Sequence, residues 1–146
     1  MARREHVSET PATRLLRDNK VAFGEHVYPY VEHGGAQHSA QVLGVEVKGD
    51  RHGRRGNFFF ELVSNLEKDT PGCFLYSTAD LLVYVFLDKQ EVHALPMKDV
   101  RAWFLPRAKQ YPLKSTKTKT GHVVYTTVGA IVPVKEVLAQ FPRRPR

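Results

Sequence analysis

Cysteine is nearly absent from this chain. Cys73 stands alone, so no internal disulfide framework can form, and a reducing, cytoplasmic setting is the expectation. Long apolar runs are missing too, and the opening MARREHVSETP carries charges without an apolar stretch behind them, so a soluble, unexported protein that does not enter a membrane is expected. Of the seven histidines, those at 26, 33, 38, 52, 93 and 122 show no ligand spacing, so no zinc site is expected. Between Asp18 and Glu46 there is no aspartate at all.

What is present bounds the answer. A chain of 146 residues with 42% hydrophobic content is expected to fold as one domain around one core, with a second full domain excluded by length. Its 22 Lys and Arg against 15 Asp and Glu leave a net charge of +7, which favours a polyanionic partner such as nucleic acid. The pattern centres on VEVKGDRHGRRGNFFFE, residues 45–61. Alternation puts Glu46 and Lys48 on one face of a strand and sends Val45 and Val47 to the other, expected to be the core face. An acid and an amine so placed suit divalent-metal chemistry on phosphodiesters. The carboxylate binds the cation through oxygen, and the ammonium orients water or offsets developing charge.

The other elements are read from periodicity. Thr10 and Pro11 open a helix to about Asn19, and VAFGEHVYPYVEH reads as an edge strand interrupted by Pro29. A helical turn is expected at Ala36–Ala40, with strand from Val42. Phe58, Phe60 and Leu62 alternate with Phe59, Glu61 and Val63 as a second strand, and SNLEKDTPGCF is a polar loop. Cys73 reads as a small apolar side chain rather than a nucleophile. LLVYVFL is a central strand covered on both sides, Asp88–Gln90 turns the chain, and Glu91–Pro96 returns antiparallel. A helix over Lys98–Lys109 turns Val100, Trp103 and Phe104 inward until Pro106 kinks or ends it. Lys114–Gly121 is expected as an exposed lysine-rich loop, followed by strands Val123–Thr127 and Ala130–Val132 and a closing helix over Pro133–Phe141.

The segments VEVKGD, GNFFFELVSN, TPGCFLYSTADLLVYVFL, EVHALPM, RAWF and YTTVGAIVPV, in that order over about two thirds of the chain, resemble the PD-(D/E)xK nuclease superfamily, in a branch frequent among phage and bacterial proteins. The resemblance implies an α/β fold, a restriction-endonuclease-like mixed central sheet flanked by helices, here with a replaced amino-terminal helix–strand segment. It also implies Mg2+- or Mn2+-dependent cleavage of nucleic acid, DNA before RNA. Glu46 and Lys48 match E-x-K and are the expected catalytic residues. Glu46, the Val47 carbonyl and an upstream acid would hold the metal. The family's upstream aspartate has no counterpart, and Glu32 is the substitute by spacing, with Glu25 next. Arg54, Arg55, Lys117 and Lys119 are expected to contact the nucleic-acid backbone.

Residues 6–45 are similar instead to the opening of the YbaK-type aminoacyl-tRNA-editing deacylases. That family's essential lysine lies in a V-x-K-T-L segment, whereas Lys48 is followed by Gly49-Asp50, so the role does not carry over. The domain therefore reads as an opening segment, 1–44, joined to a nuclease-like core, 45–146. The alternatives to a nuclease are a non-catalytic nucleic-acid- or partner-binding protein and, third, a relative of the editing deacylases.

Overall fold

In the computed structural model the chain divides into two compact units, Met1–Val31 and Glu32–Arg146. The structure describes Arg14, Arg17, Asp18, Lys20 and residues 42–143. Within the first unit Arg14, Arg17 and Asp18 are helical, as expected of a helix over this stretch, and the Lys20 N–H donates to the Arg17 carbonyl at 2.9 Å. The edge strand expected around Pro29 and the turn at Ala36–Ala40 lie outside the described residues.

Among the described residues the second unit is mixed α/β, with its strands divided between two sheets rather than gathered into one. Strands β1 (Val45–Asp50), β4 (Leu81–Phe86) and β5 (Glu91–Pro96) form the first, in the order β1-β4-β5. β1 and β4 run parallel, and β4 and β5 form the expected antiparallel hairpin. Strands β2 (Asn57–Asn65), β3 (Thr70–Pro71), β6 (Leu113–Thr120) and β7 (Val123–Pro133) form the second sheet, antiparallel throughout, in the order β3-β2-β7-β6. Among the described residues, helices α1 (Cys73–Tyr76), α2 (Met97–Phe104) and α3 (Val134–Gln140) accompany them. No helix among the described residues is long and apolar enough to cross a membrane.

One aromatic core joins the two sheets. Alternation along β2 sends Phe58 and Phe60 inward, and the same period along β4 sends Leu82, Tyr84 and Phe86 toward them. Phe60 stacks on Phe74 of α1 with centroids 4.2 Å apart, and Phe104 of α2 meets both rings edge-on. Phe58 contacts Tyr84 edge-on at 4.9 Å. Each fully buried phenylalanine contributes about 2 kcal/mol. Helix α2 closes the core because Met97, Val100 and Phe104 share one face and are buried.

Several expectations need correction. Val42 and Leu43 are helical, so the strand begins at Val45 and not at Val42. The helix expected over Lys98–Lys109 is α-helical only to Phe104. It continues as a 3-10 helix, Leu105–Gln110, because Pro106 offers no N–H to an α-helical turn. The expected loop Lys114–Gly121 is strand β6, closed against β7 by the turn Gly121-His122. Threonines suit an extended chain, and β7 supplies the ladder. The expected exposure is borne out all along β6. The two last strands are a single strand, β7.

Candidate functional site

Strand β1 is an edge strand among the described residues, and its faces are assigned opposite to expectation. Glu46, Lys48 and Asp50 pair in register with Leu82, Tyr84 and Phe86, so this polar row shares the face that β4 turns to the core. Val47 points the other way and is 64% exposed. Glu46 and Lys48 do share one face, as the spacing required. Asp50 extends the row to E-x-K-x-D.

Each member of the row is held by a different element. The Ser77 hydroxyl donates to Glu46 Oε2 at 3.1 Å and accepts the Ala79 N–H at 3.3 Å. Arg101 of α2 fixes that corner from behind, donating to the carbonyls of Phe74 at 2.8 Å and Ser77 at 2.6 Å. Lys48 Nζ lies 3.4 Å from Glu61 Oε2 and 5.3 Å from the centre of the Phe59 ring, so β2 supplies both its counter-charge and a π face. The partial exposure of the ion pair limits its contribution to about 1 kcal/mol. Asp50 Oδ2 accepts from the Tyr84 hydroxyl at 2.6 Å, and its Oδ1 accepts the His52 N–H at 2.7 Å. The buried Tyr84 hydroxyl also accepts the Phe59 N–H at 3.0 Å, which ties the two sheets together. Burial first, and then the bond to Asp50, raise its pKa far above the usual tyrosine range, so it remains a donor.

Glu61 is placed by a local irregularity. The β2–β7 register shifts between Glu61 and Val63, and the Pro71-Gly72 turn closes onto that point. The Gly72 N–H donates to the Leu62 carbonyl at 2.8 Å, and a Cβ at Gly72 would collide with the Glu61 carbonyl. The following residue donates its N–H to Glu61 Oε1 at 3.4 Å. That residue is Cys73, whose thiol burial and then the Glu61 carboxylate push up to about 11, with Glu46 adding to the shift and Lys48 opposing it. The half-buried thiol therefore sits among all three charges in its protonated form.

Beside Lys48 opens a cavity of about 500 Å³. One wall is the outer face of the second sheet, where Phe59, Glu61, Tyr125, Thr127 and Ile131 alternate with the core residues. Strand β6 extends that wall with Lys114, Thr116 and Thr118. Lys48, Asp50, His52 and Arg55 also line the cavity. The loop carrying His52 and Arg55 is held from below by Asp88, whose carboxylate accepts the N–H groups of Gly53 at 2.9 Å and Arg54 at 3.0 Å. These bonds, the Arg54 N–H first, lower the Asp88 pKa.

Of the residues expected at the site, Lys48 and Arg55 line this cavity. Glu46 adjoins Lys48 but bonds toward Ser77. Arg54 meets Asp88 through its backbone. Lys117 and Lys119 alternate with Thr116 and Thr118 and so occupy the other face of β6, with Lys117 acting on Glu67. Glu32 and Glu25 lie outside the described residues, as does nearly all of the stretch resembling editing deacylases. Sequence reasoning did not single out Asp50, Ser77 or Tyr84 as site residues. Only Asp50 carried a usable signal, the third step of the period-two row.

Among the described residues no group of three or more His, Cys, Asp or Glu side chains is arranged to hold a metal ion. Glu46, on β1 with Lys48, and Glu61, paired with Lys48, are hard oxygen donors of the kind Mg2+ takes, usually one or two at a time with water completing the shell. No family model matches the chain, and neither a curated protein nor a solved structure matches it.

Proposed function

We propose that this chain is a metal-dependent nuclease of restriction-endonuclease-like type, hydrolysing phosphodiesters of nucleic acid, DNA before RNA. The observation that supports this reading above the others is Lys48, paired with Glu61 and two positions along β1 from Glu46, at the wall of a cavity that also carries Arg55 and Lys114. Glu46 and Glu61 would hold Mg2+ or Mn2+, with the Val47 carbonyl and Glu32 as the further ligands the resemblance implies. Such an ion supplies charge stabilisation at the phosphoryl oxygens and lowers the pKa of water. Lys48 is the group that orients the attacking water, and its pairing with Glu61 and the Phe59 ring keeps the ammonium from swinging out to solvent. Arg55 holds the phosphate backbone.

The test is cleavage of plasmid and linear DNA with Mg2+ or Mn2+ and an EDTA control, comparing the wild type with Lys48→Ala and Glu61→Gln. Metal-dependent cleavage lost in Lys48→Ala and reduced at least tenfold in Glu61→Gln is expected. Cleavage equal in the Lys48 variant, or absent in all three proteins, refutes the proposal. One observation favours the alternative of binding without chemistry. Both oxygens of Glu61 and of Asp50 already accept hydrogen bonds or ion pairs within the fold. Under that reading nucleic acid binds while no cleavage occurs.

A further inference from the structure

We propose that the cavity beside Lys48 receives single-stranded nucleic acid and rejects duplex, with a base stacked on Tyr125 and phosphates held by Lys114 and Arg55. The inference deepens the nuclease reading by naming the form of its substrate, and it rests on groups that reading leaves unused. Tyr125 lines the cavity half-buried and makes no ring contact or side-chain hydrogen bond among the described residues. It differs from Phe59, whose ring is covered by Gly129 on β7 and by the Lys48 ammonium. Thr118 pairs with Tyr125 across the β6–β7 ladder, and Thr116 with Thr127, so hydroxyls flank the free ring. The side chains of Lys114 and Arg55 have no ion pair among the described residues, and both residues line the same space.

An aromatic ring without a ring partner among the described residues, in a hydroxyl-lined cavity where Lys48, Arg55 and Lys114 outnumber the carboxylates Asp50 and Glu61, is the composition that binds unpaired strands. A base with both faces free stacks on the ring while cations follow the backbone. In a duplex the bases are stacked on one another and the phosphates lie outside, so a duplex cannot offer a ring face to Tyr125 and a phosphate to Lys48 inside one cavity of this size. Thr116 and Thr118 contribute hydroxyls to phosphate or sugar without reading sequence.

The experiment is fluorescence anisotropy of a labelled twelve-residue oligothymidylate and of a labelled blunt hairpin duplex, in EDTA so that no cleavage intervenes. The wild type is compared with Tyr125→Ala, Tyr125→Phe, Lys114→Ala and the remote exposed control Lys98→Ala. The expected results are single-strand binding at least tenfold tighter than duplex binding, loss of about fivefold or more in Tyr125→Ala, and retention in Tyr125→Phe. Lys114→Ala lowers the slope of log affinity against log salt by about 0.7, and Lys98→Ala leaves it in place. Duplex bound as tightly as the single strand overturns the proposal, and so does a folded Tyr125→Ala that binds like the wild type. The cleavage assay separates the two ideas. Single-strand binding without cleavage removes the nuclease and keeps this site, whereas Lys48-dependent cleavage of duplex as fast as single strand keeps the nuclease and removes this inference.

Discussion

Removing the Tyr84 hydroxyl tests whether one buried group joins the two sheets. Tyr84→Phe keeps the ring and its contacts with Phe58 and Phe86, so the perturbation is confined to one oxygen. That oxygen donates to Asp50 at 2.6 Å and accepts from the Phe59 N–H at 3.0 Å. A hydrogen bond to a carboxylate contributes about 1.5–3 kcal/mol, and a half-buried N–H left without an acceptor costs up to about 1 kcal/mol more. Asp50 is partly exposed and regains some hydration, which brings the total to about 2–3 kcal/mol. That loss corresponds to roughly 10 °C in Tm for a domain of this size. Urea denaturation by circular dichroism measures it, with an unchanged m-value showing that the folded state is otherwise intact. A double-mutant cycle with Asp50→Asn should return a coupling of about 1 kcal/mol or more. A Tyr84→Phe protein within about 0.5 kcal/mol of the wild type would show that the sheets are held by aromatic packing alone.

Three other outcomes follow from the same geometry. Gly72→Ala should cost more than about 2 kcal/mol in denaturant unfolding, since its Cβ meets the Glu61 carbonyl rather than a movable side chain; a change near zero would mean that the turn does not close on β2 as described. Cys73, with its thiol near 11 against an ordinary 9.0, should react with iodoacetamide at pH 8 roughly a hundredfold more slowly than a free cysteine, and a rate equal to the free thiol would contradict its setting. His93 is buried, and burial lowers its pKa in the fold below the ordinary 6.5. As pH falls through that ordinary value the unfolded chain takes up the proton first, so stability is full above about 6.5 and declines below it, by at most about 1.4 kcal/mol per pH unit. A His93→Gln protein should lack that slope between pH 7 and 5, and identical profiles would rule out His93 as its source.

The parts of the fold that could be read in advance are those where one side of an element is apolar. Phe58 and Phe60 announced β2, and Val100 and Phe104 announced α2, because period and burial agree there. Strand β6 gave no such signal: LKSTKTKT is exposed on both faces, and only its ladder with β7 makes it a strand. For the same reason the lysine of β6 that faces the cavity could not be chosen, since pairing Lys114 with Gly129 and Lys117 with Thr126 decides which of them turns inward. Strand β1 misled in a different way. Its valines look like the buried set, yet the donors that hold its polar row come from Ser77 and Tyr84, 31 and 34 residues further on. No window of local pattern contains both partners.

The row Glu46–Lys48–Asp50 is costly for a strand to carry on the side its neighbour turns to the core. Charges brought toward a low-dielectric interior lose hydration, and apolar residues in the same register would extend the contacts of Leu82, Tyr84 and Phe86. The fold offsets that loss one group at a time: a hydroxyl from the corner after α1 for Glu46, a carboxylate from the irregular point of β2 for Lys48, a phenol from β4 for Asp50. Each compensating group is itself fixed by a distant element, Ser77 by Arg101 of α2 and Glu61 by the turn at Gly72. Because no two members of the row share a partner, loosening one contact moves one charge without releasing the others. Such independence suits a site whose charges must keep separate positions, and it makes Ser77→Ala and Tyr84→Phe separable probes. The first should disturb the Glu46 end and leave Asp50 in place, the second should do the reverse, and a protein in which either substitution disturbs both ends has a row that acts as one unit.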